Sequence, residues 1–125
     1  MIIAIGNDLA EVGRLRAALE NPLTGMRFRD RVFTPGEQEY CERRRVAKYQ
    51  SYAARFAAKE ATMKALGRGW RRYVGWLDIE VMRRRGSRPE IVLHGQSRVL
   101  GRGGRFMLSL SHTDQHAVAF VVVEE

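Results

Sequence analysis

The chain is predicted to fold as an α+β domain, on three observations. Up to about residue 66 apolar residues recur at helical spacing, whereas from residue 77 onward the pattern turns β-branched and alternating, with Gly, Pro or Asp between the runs. Residues 1–5 are a short apolar run of their own ahead of the first helix. Helical and strand segments are thus largely separated along the chain, which favours a mostly antiparallel sheet packed with a long central helix and shorter ones over an alternating parallel fold. With 125 residues, 45% of them hydrophobic, the chain is long enough for one core and too short for two, and it has no repeat or linker. A single domain over 1–125 is expected.

Taken in order, residues 1–5 read as a buried strand, stopped by a turn at Gly6-Asn7-Asp8. From Leu9 to about Glu20, Val12, Leu15, Ala18 and Leu19 trace a helical face that ends before Pro22. Thr34-Pro35-Gly36-Glu37 has the capping-box pattern, with a hydroxyl N-cap, Pro at the first helical position and Glu at the third, so a second helix starts there. Residues 48–66 are rich in good helix formers, and Tyr49, Tyr52, Ala53, Phe56, Ala57, Met63 and Leu66 form one apolar band. Gly67 and Gly69 mark its end. Strands are predicted over 77–82, 90–94, 106–111 and 117–123, with 97–100 as a candidate short helix. Residues 113–115 then join the last two strands as a hairpin.

Charge narrows the partners. Lys plus Arg number 22 against 14 Asp plus Glu, a formal +8 that favours an anionic partner. No apolar run approaches the roughly 20 residues that span a bilayer, so no membrane role is expected. Asp8 and Glu11 interrupt any signal-peptide core. A single cysteine, Cys41, permits neither an intrachain disulfide nor a cysteine-based zinc site and fits a cytoplasmic location.

Glu60 is anomalous because Phe56 and Met63, its helical neighbours, belong to the apolar band. It either pairs with Lys64 one turn on or binds a cation. Asp8 is equally open: an N-cap for the following helix, or a ligand. Together the two carboxylates suit Mg²⁺, which takes one or two protein carboxylates and completes its shell with water and phosphates. A lysine one turn beyond a ligand suits phosphoryl transfer. His112, after Ser109 and Ser111 at a strand end, is either a phosphate contact or an ordinary turn histidine. There is no P-loop, G-x-G-x-x-G fingerprint, H-E-x-x-H site or G-x-S-x-G elbow. Arg83-Arg84-Arg85 could contact nucleic acid, but no recognised nucleic-acid motif accompanies it, and none is expected as a partner.

Four segments match one family: Ile5-Gly6-Asn7-Asp8, Arg31-Val32-Phe33-Thr34-Pro35-Gly36-Glu37, Phe56-Ala57-Ala58-Lys59-Glu60-Ala61-Thr62-Met63-Lys64 and Ser109-Leu110-Ser111-His112. The chain resembles bacterial holo-acyl-carrier-protein synthases, the small trimeric class of the 4′-phosphopantetheinyl transferase superfamily. The resemblance implies that fold, and transfer of 4′-phosphopantetheine from coenzyme A to a serine of apo acyl carrier protein, with release of adenosine 3′,5′-bisphosphate. It implies Asp8 and Glu60 as Mg²⁺ ligands, with Mn²⁺ a possible substitute, Glu60 also as a candidate base, and Lys64 at the leaving phosphate. By the same resemblance Arg55, Lys59, Lys64, Ser111, His112 and Thr113 fall in coenzyme A-binding segments and Arg14 meets the carrier protein. A homotrimer with active sites at subunit boundaries is implied too. Asn7 departs from the family's usual residue beside the aspartate, with an expected effect on water around the metal.

Overall fold

The apolar band over residues 48–66 forms a helix with those bounds, and the rest of the chain is laid against it. The computed structural model describes residues 1–67, 75–101 and 103–125. In chain order these are strand β1 (Ile2–Glu11), helices α1 (Val12–Glu20), α2 (Gly25–Val32), α3 (Pro35–Arg43) and α4 (Lys48–Leu66), strands β2 (Ile79–Met82) and β3 (Glu90–Leu93), the short helix α5 (Gln96–Gly101), and strands β4 (Arg105–His112) and β5 (His116–Glu124). Single 3₁₀ turns at Arg45–Ala47 and Trp76–Asp78 precede α4 and β2.

Helix α4 is buried on most of its circumference, with Tyr52, Ala53, Ala57, Ala58, Ala61 and Met63 all inaccessible to solvent. Its many alanines bring backbone close to backbone, and they pack with Ala10, Ala117, Ala119, Val121 and Val123 of the sheet in one core. Gly67, at φ 91°, ends the helix in a conformation that disfavours other residues. Gly69, the other stop signal, lies outside the described residues, as does Trp70.

Two antiparallel sheets flank this helix, one of three strands in the order β1-β5-β4 and one pairing β2 with β3. The β4–β5 hairpin forms as expected, and the register sets Asp8 opposite Ala119 and Ala119 opposite Leu110. The capping box at α3 is complete: the Thr34 hydroxyl accepts from the Glu37 amide at 3.2 Å, and the Glu37 carboxylate accepts from the Thr34 amide at 2.8 Å. Phe33 and Tyr52, both fully buried, meet edge to face with ring centroids 4.8 Å apart.

Three elements differ from expectation. Strand β1 does not turn at Gly6 but runs on to Glu11, so α1 begins only at Val12 and Leu9 and Ala10 are strand residues. A Cβ at Gly6 would run into the carbonyl of Ala61, so this glycine serves a close helix–strand approach rather than a turn. Helix α2 has no counterpart in the reading of the sequence. Its eight residues bury only Gly25 and Val32, while three arginines occupy the remaining faces.

Candidate active site

Strand alternation decides which β1 residues can meet α4. Gly6 and Ala10 are buried under the helix, and Asp8 between them lies on that same face. Asp8 therefore cannot cap α1. That helix has Glu11 at its N-cap, with no side-chain cap bond. Asn7 points the opposite way and is exposed on the far face, where its neighbour across the sheet is Phe120. Its side chain thus bears on that outer face and not on water near Asp8.

Asp8 and Glu60 line one cleft of about 430 Å³ with Arg14 and Leu15 from α1, Phe28 from α2, Phe56 from α4 and His116 from β5. Lys64, one turn beyond Glu60, donates from Nζ to Asp8 Oδ1 at 2.9 Å and to the Asn7 carbonyl at 3.0 Å. The i,i+4 pair with Glu60 is not the bond it makes. Burial pushes the Glu60 carboxyl above the ordinary carboxylate range, the negative charge of Asp8 pushes it further, and Lys64 and Arg14 partly offset the rise. Lys64 is held more firmly protonated, chiefly through its hydrogen bond to Asp8.

Two carboxylates facing one another at a half-buried cleft, one of them disfavoured in its charged form, fit a hard divalent cation that accepts water and phosphate as its other ligands. Among the described residues there is no cluster of three or more His, Cys, Asp or Glu side chains, so a closed all-protein metal cage is not what these residues build.

The other expected residues fall in different places. Lys59 lies in the core rather than at a ligand surface: its side chain is fully buried, its Nζ is 2.7 Å from Glu37 Oε1, and it donates to the carbonyls of Trp76 at 2.9 Å and Ile79 at 2.7 Å. A buried ammonium needs such partners, and all three are taken from this chain. Arg55 is also buried, with its guanidinium 4.0 Å from the centre of the Tyr40 ring and its Nε without a hydrogen-bond partner. Ser111, His112 and Thr113 are exposed at the end of β4. Ser111 is in register with Val118, which faces Leu9, so two strand spacings of about 10 Å in all separate it from β1. None of the three lines the Asp8–Glu60 cleft. Thr113 instead closes the hairpin, its Oγ1 accepting from the amides of Gln115 and His116.

His116 and Phe28 reach the cleft although the sequence did not single them out, and Phe56, read there as part of the apolar band, reaches it too. The Phe56 ring stacks on Trp76, centroids 5.0 Å apart and planes 21° from parallel. His116 comes to the cleft through the pairing of β5 with β1, which sets it beside Glu11, and no local sequence signal fixes that register. A second cleft, of about 450 Å³, is lined by Tyr40, Arg43 and Arg44 together with Arg83, Arg84 and Arg85, so the basic cluster ending β2 joins that ending α3. No described helix is long and apolar enough to cross a membrane.

Comparison with known proteins agrees with this geometry. The holo-acyl-carrier-protein synthase of Koribacter versatilis is 46% identical over 128 residues, covering all of both chains. That of Desulforudis audaxviator is 47% identical over 125 residues, covering 98% of this chain and 92% of its own. Among solved structures, holo-acyl-carrier-protein synthase from Neisseria meningitidis superposes with a TM-score of 0.81 at 31% identity, covering both chains fully. The Bacillus anthracis enzyme, solved in complex with CoA (3′,5′-ADP), gives 0.77 at 32% identity, covering 100% of this chain and 98% of that one. A model of the 4′-phosphopantetheinyl transferase superfamily matches residues 4–121, and the chain belongs to that superfamily.

Proposed function

We propose that this protein is a holo-acyl-carrier-protein synthase, moving 4′-phosphopantetheine from coenzyme A to a serine of apo acyl carrier protein in fatty acid biosynthesis. The observation that carries the reading is the meeting of Asp8 and Glu60 from two elements at one cleft, with Lys64 bonded to Asp8, in a chain of this family. The serine oxygen attacks the β-phosphorus of coenzyme A, the bond from that phosphorus to the bridging oxygen breaks, and adenosine 3′,5′-bisphosphate leaves.

Asp8 and Glu60 would hold Mg²⁺, or Mn²⁺ in its place. A divalent cation there supplies neutralisation of the pyrophosphate charge that gathers as the bridging bond breaks. Glu60 accepts the proton of the serine hydroxyl. Lys64 presents its ammonium to the leaving phosphate. The Arg-lined cleft offers further cationic surface to a polyphosphate substrate, and the buried Arg55 lies behind it against Tyr40, which lines that cleft. Arg14, on the cleft rim, faces an acidic carrier, and the +8 charge speeds their encounter.

The chain acts as a single domain, in the cytoplasm, as a homotrimer whose active sites lie at subunit boundaries. The support is the outer face of the three-stranded sheet, where Ile3, Ile5, Leu9, Met107 and Phe120 are exposed together on neighbouring strands. A boundary site also gives Ser111, His112 and Thr113 a cleft to serve, that of the adjacent subunit. Intact-protein mass spectrometry of an apo acyl carrier protein incubated with this protein, coenzyme A and Mg²⁺ tests the reading. A gain of one phosphopantetheine, abolished by EDTA, is expected; no gain with any apo carrier tried contradicts it.

A further inference from the structure

Lys64 reaches across to β1 instead of lying along its own helix. Its ammonium sits between the Asp8 carboxylate and the Asn7 carbonyl, at 2.9 and 3.0 Å. The two partners differ in freedom: the Asp8 side chain is 14% exposed and fixed to a paired strand, whereas Lys64 is 54% exposed at the end of a flexible stem in the last turn of α4. Among the described residues Lys64 is the ion-pair partner of Asp8, and Glu60 has none within 4 Å. Among the described residues one ammonium is therefore bonded at the two carboxylates, directly to Asp8, and it acts on Glu60 only through space, as Arg14 does.

We propose that Lys64 is the resident counter-ion of the Asp8–Glu60 pair, displaced by an incoming divalent cation, so that metal loading and release of the lysine toward substrate are a single exchange. The inference rests on the reading of Asp8 and Glu60 as the metal-holding residues. Its physical basis is competition. A hard cation needs a carboxylate oxygen at close range and free of a donor, and an ammonium seated on that oxygen is both a donor and a like charge. The displaced stem swings about its own torsions, so the exchange asks nothing of the backbone. In the metal-free protein the same contact neutralises Asp8, which lowers the repulsion that would otherwise open β1 from α4 at their closest approach.

The test is Mn²⁺ binding, read by the electron paramagnetic resonance signal of free Mn²⁺, to the whole protein without coenzyme A. Wild type is compared with Lys64→Gln, Lys64→Met, Arg14→Gln and Asp8→Asn. Both Lys64 variants are expected to bind Mn²⁺ about two- to five-fold tighter than wild type, the range over which exposed ion pairs act. Arg14→Gln removes a cleft charge that makes no bond to Asp8, and is expected to give less than half that gain at high salt, where long-range charge effects are screened. Unchanged or weaker binding in the Lys64 variants, or an equal gain in Arg14→Gln, overturns the exchange. Binding that Asp8→Asn leaves intact, or no binding by any form, overturns the metal assignment itself and the exchange with it.

Discussion

The backbone of Gly6 on β1 lies directly against the carbonyl of Ala61 on α4, so closely that a Cβ at position 6 would collide with that oxygen and lie 3.2 Å from the Ala65 amide nitrogen. Asp8 follows two residues along the same face of the strand, and Glu60 is the residue just before Ala61. The contact therefore sets how near the two carboxylates come.

Gly6→Ala is expected to destabilise the protein by about 1–3 kcal/mol, the usual range for overpacking, and to lower transfer at least tenfold. Gly13 provides the control, since a Cβ there meets nothing within 4 Å and the residue lies in α1. Gly13→Ala should leave activity intact and raise stability slightly. Urea unfolding and transfer rates on the two variants check both statements.

The raised Glu60 carboxyl links stability to pH. Its folded-state pKa exceeds the ordinary value of 4.5, so the folded state holds that proton more tightly than the unfolded one. The resulting contribution is fully present below 4.5 and is lost as pH rises through the folded-state value. At neutral pH without metal, Glu60→Gln should therefore melt higher than wild type, with the gap closing as pH falls through the folded-state value toward 4.5. Thermal melts across pH in EDTA read this directly.

Lys59 and Glu37 form an ion pair with both side chains wholly buried, and burial pushes the two groups in opposite directions, Glu37 up and Lys59 down, each toward neutrality. Lys59→Met strands a buried carboxylate and should cost about 3–5 kcal/mol. Adding Glu37→Gln removes the stranded charge and keeps an acceptor for one of the two amides, Thr34 or Val81, that the carboxylate oxygens served, so the double variant should recover part of the loss. Chemical denaturation of the single and double variants tests this.

Ile5 and Phe120 stand on the outer sheet face, 68% and 50% exposed. Charge placed there, as Ile5→Glu or Phe120→Glu, should shift sedimentation from trimer toward monomer and reduce transfer, while unchanged sedimentation would detach that face from assembly.

What the sequence made legible was local. The bounds of α4 followed from an unbroken band of helix formers ended by Gly67, and the α3 capping box from four residues in a row. The run-on of β1 was misread because a Gly-Asn-Asp triplet has the composition of a turn, while the actual demand on Gly6 comes from a helix more than fifty residues away. The resemblance places Lys59 in a coenzyme A-binding segment, and its pairing with Glu37 could not be read because that residue lies on another helix. The surrounding Ala57, Ala58 and Ala61 were the available sign that this side of α4 is core. Helix α2 went unseen because it buries so little. The Asp8–Glu60 pairing was legible as two candidates, but the Lys64–Asp8 bond was not, since helical spacing pointed to Glu60.

The central claim is that Asp8 and Glu60 form one metal-dependent transfer site. The most direct measurement is phosphopantetheine transfer to apo acyl carrier protein, followed by intact mass, for wild type, Asp8→Asn and Glu60→Gln at saturating Mg²⁺, with circular dichroism to verify the fold. The account predicts folded variants with transfer lowered by at least a thousandfold, roughly 4 kcal/mol of transition-state stabilisation. Transfer at near wild-type rate in either folded variant would contradict it.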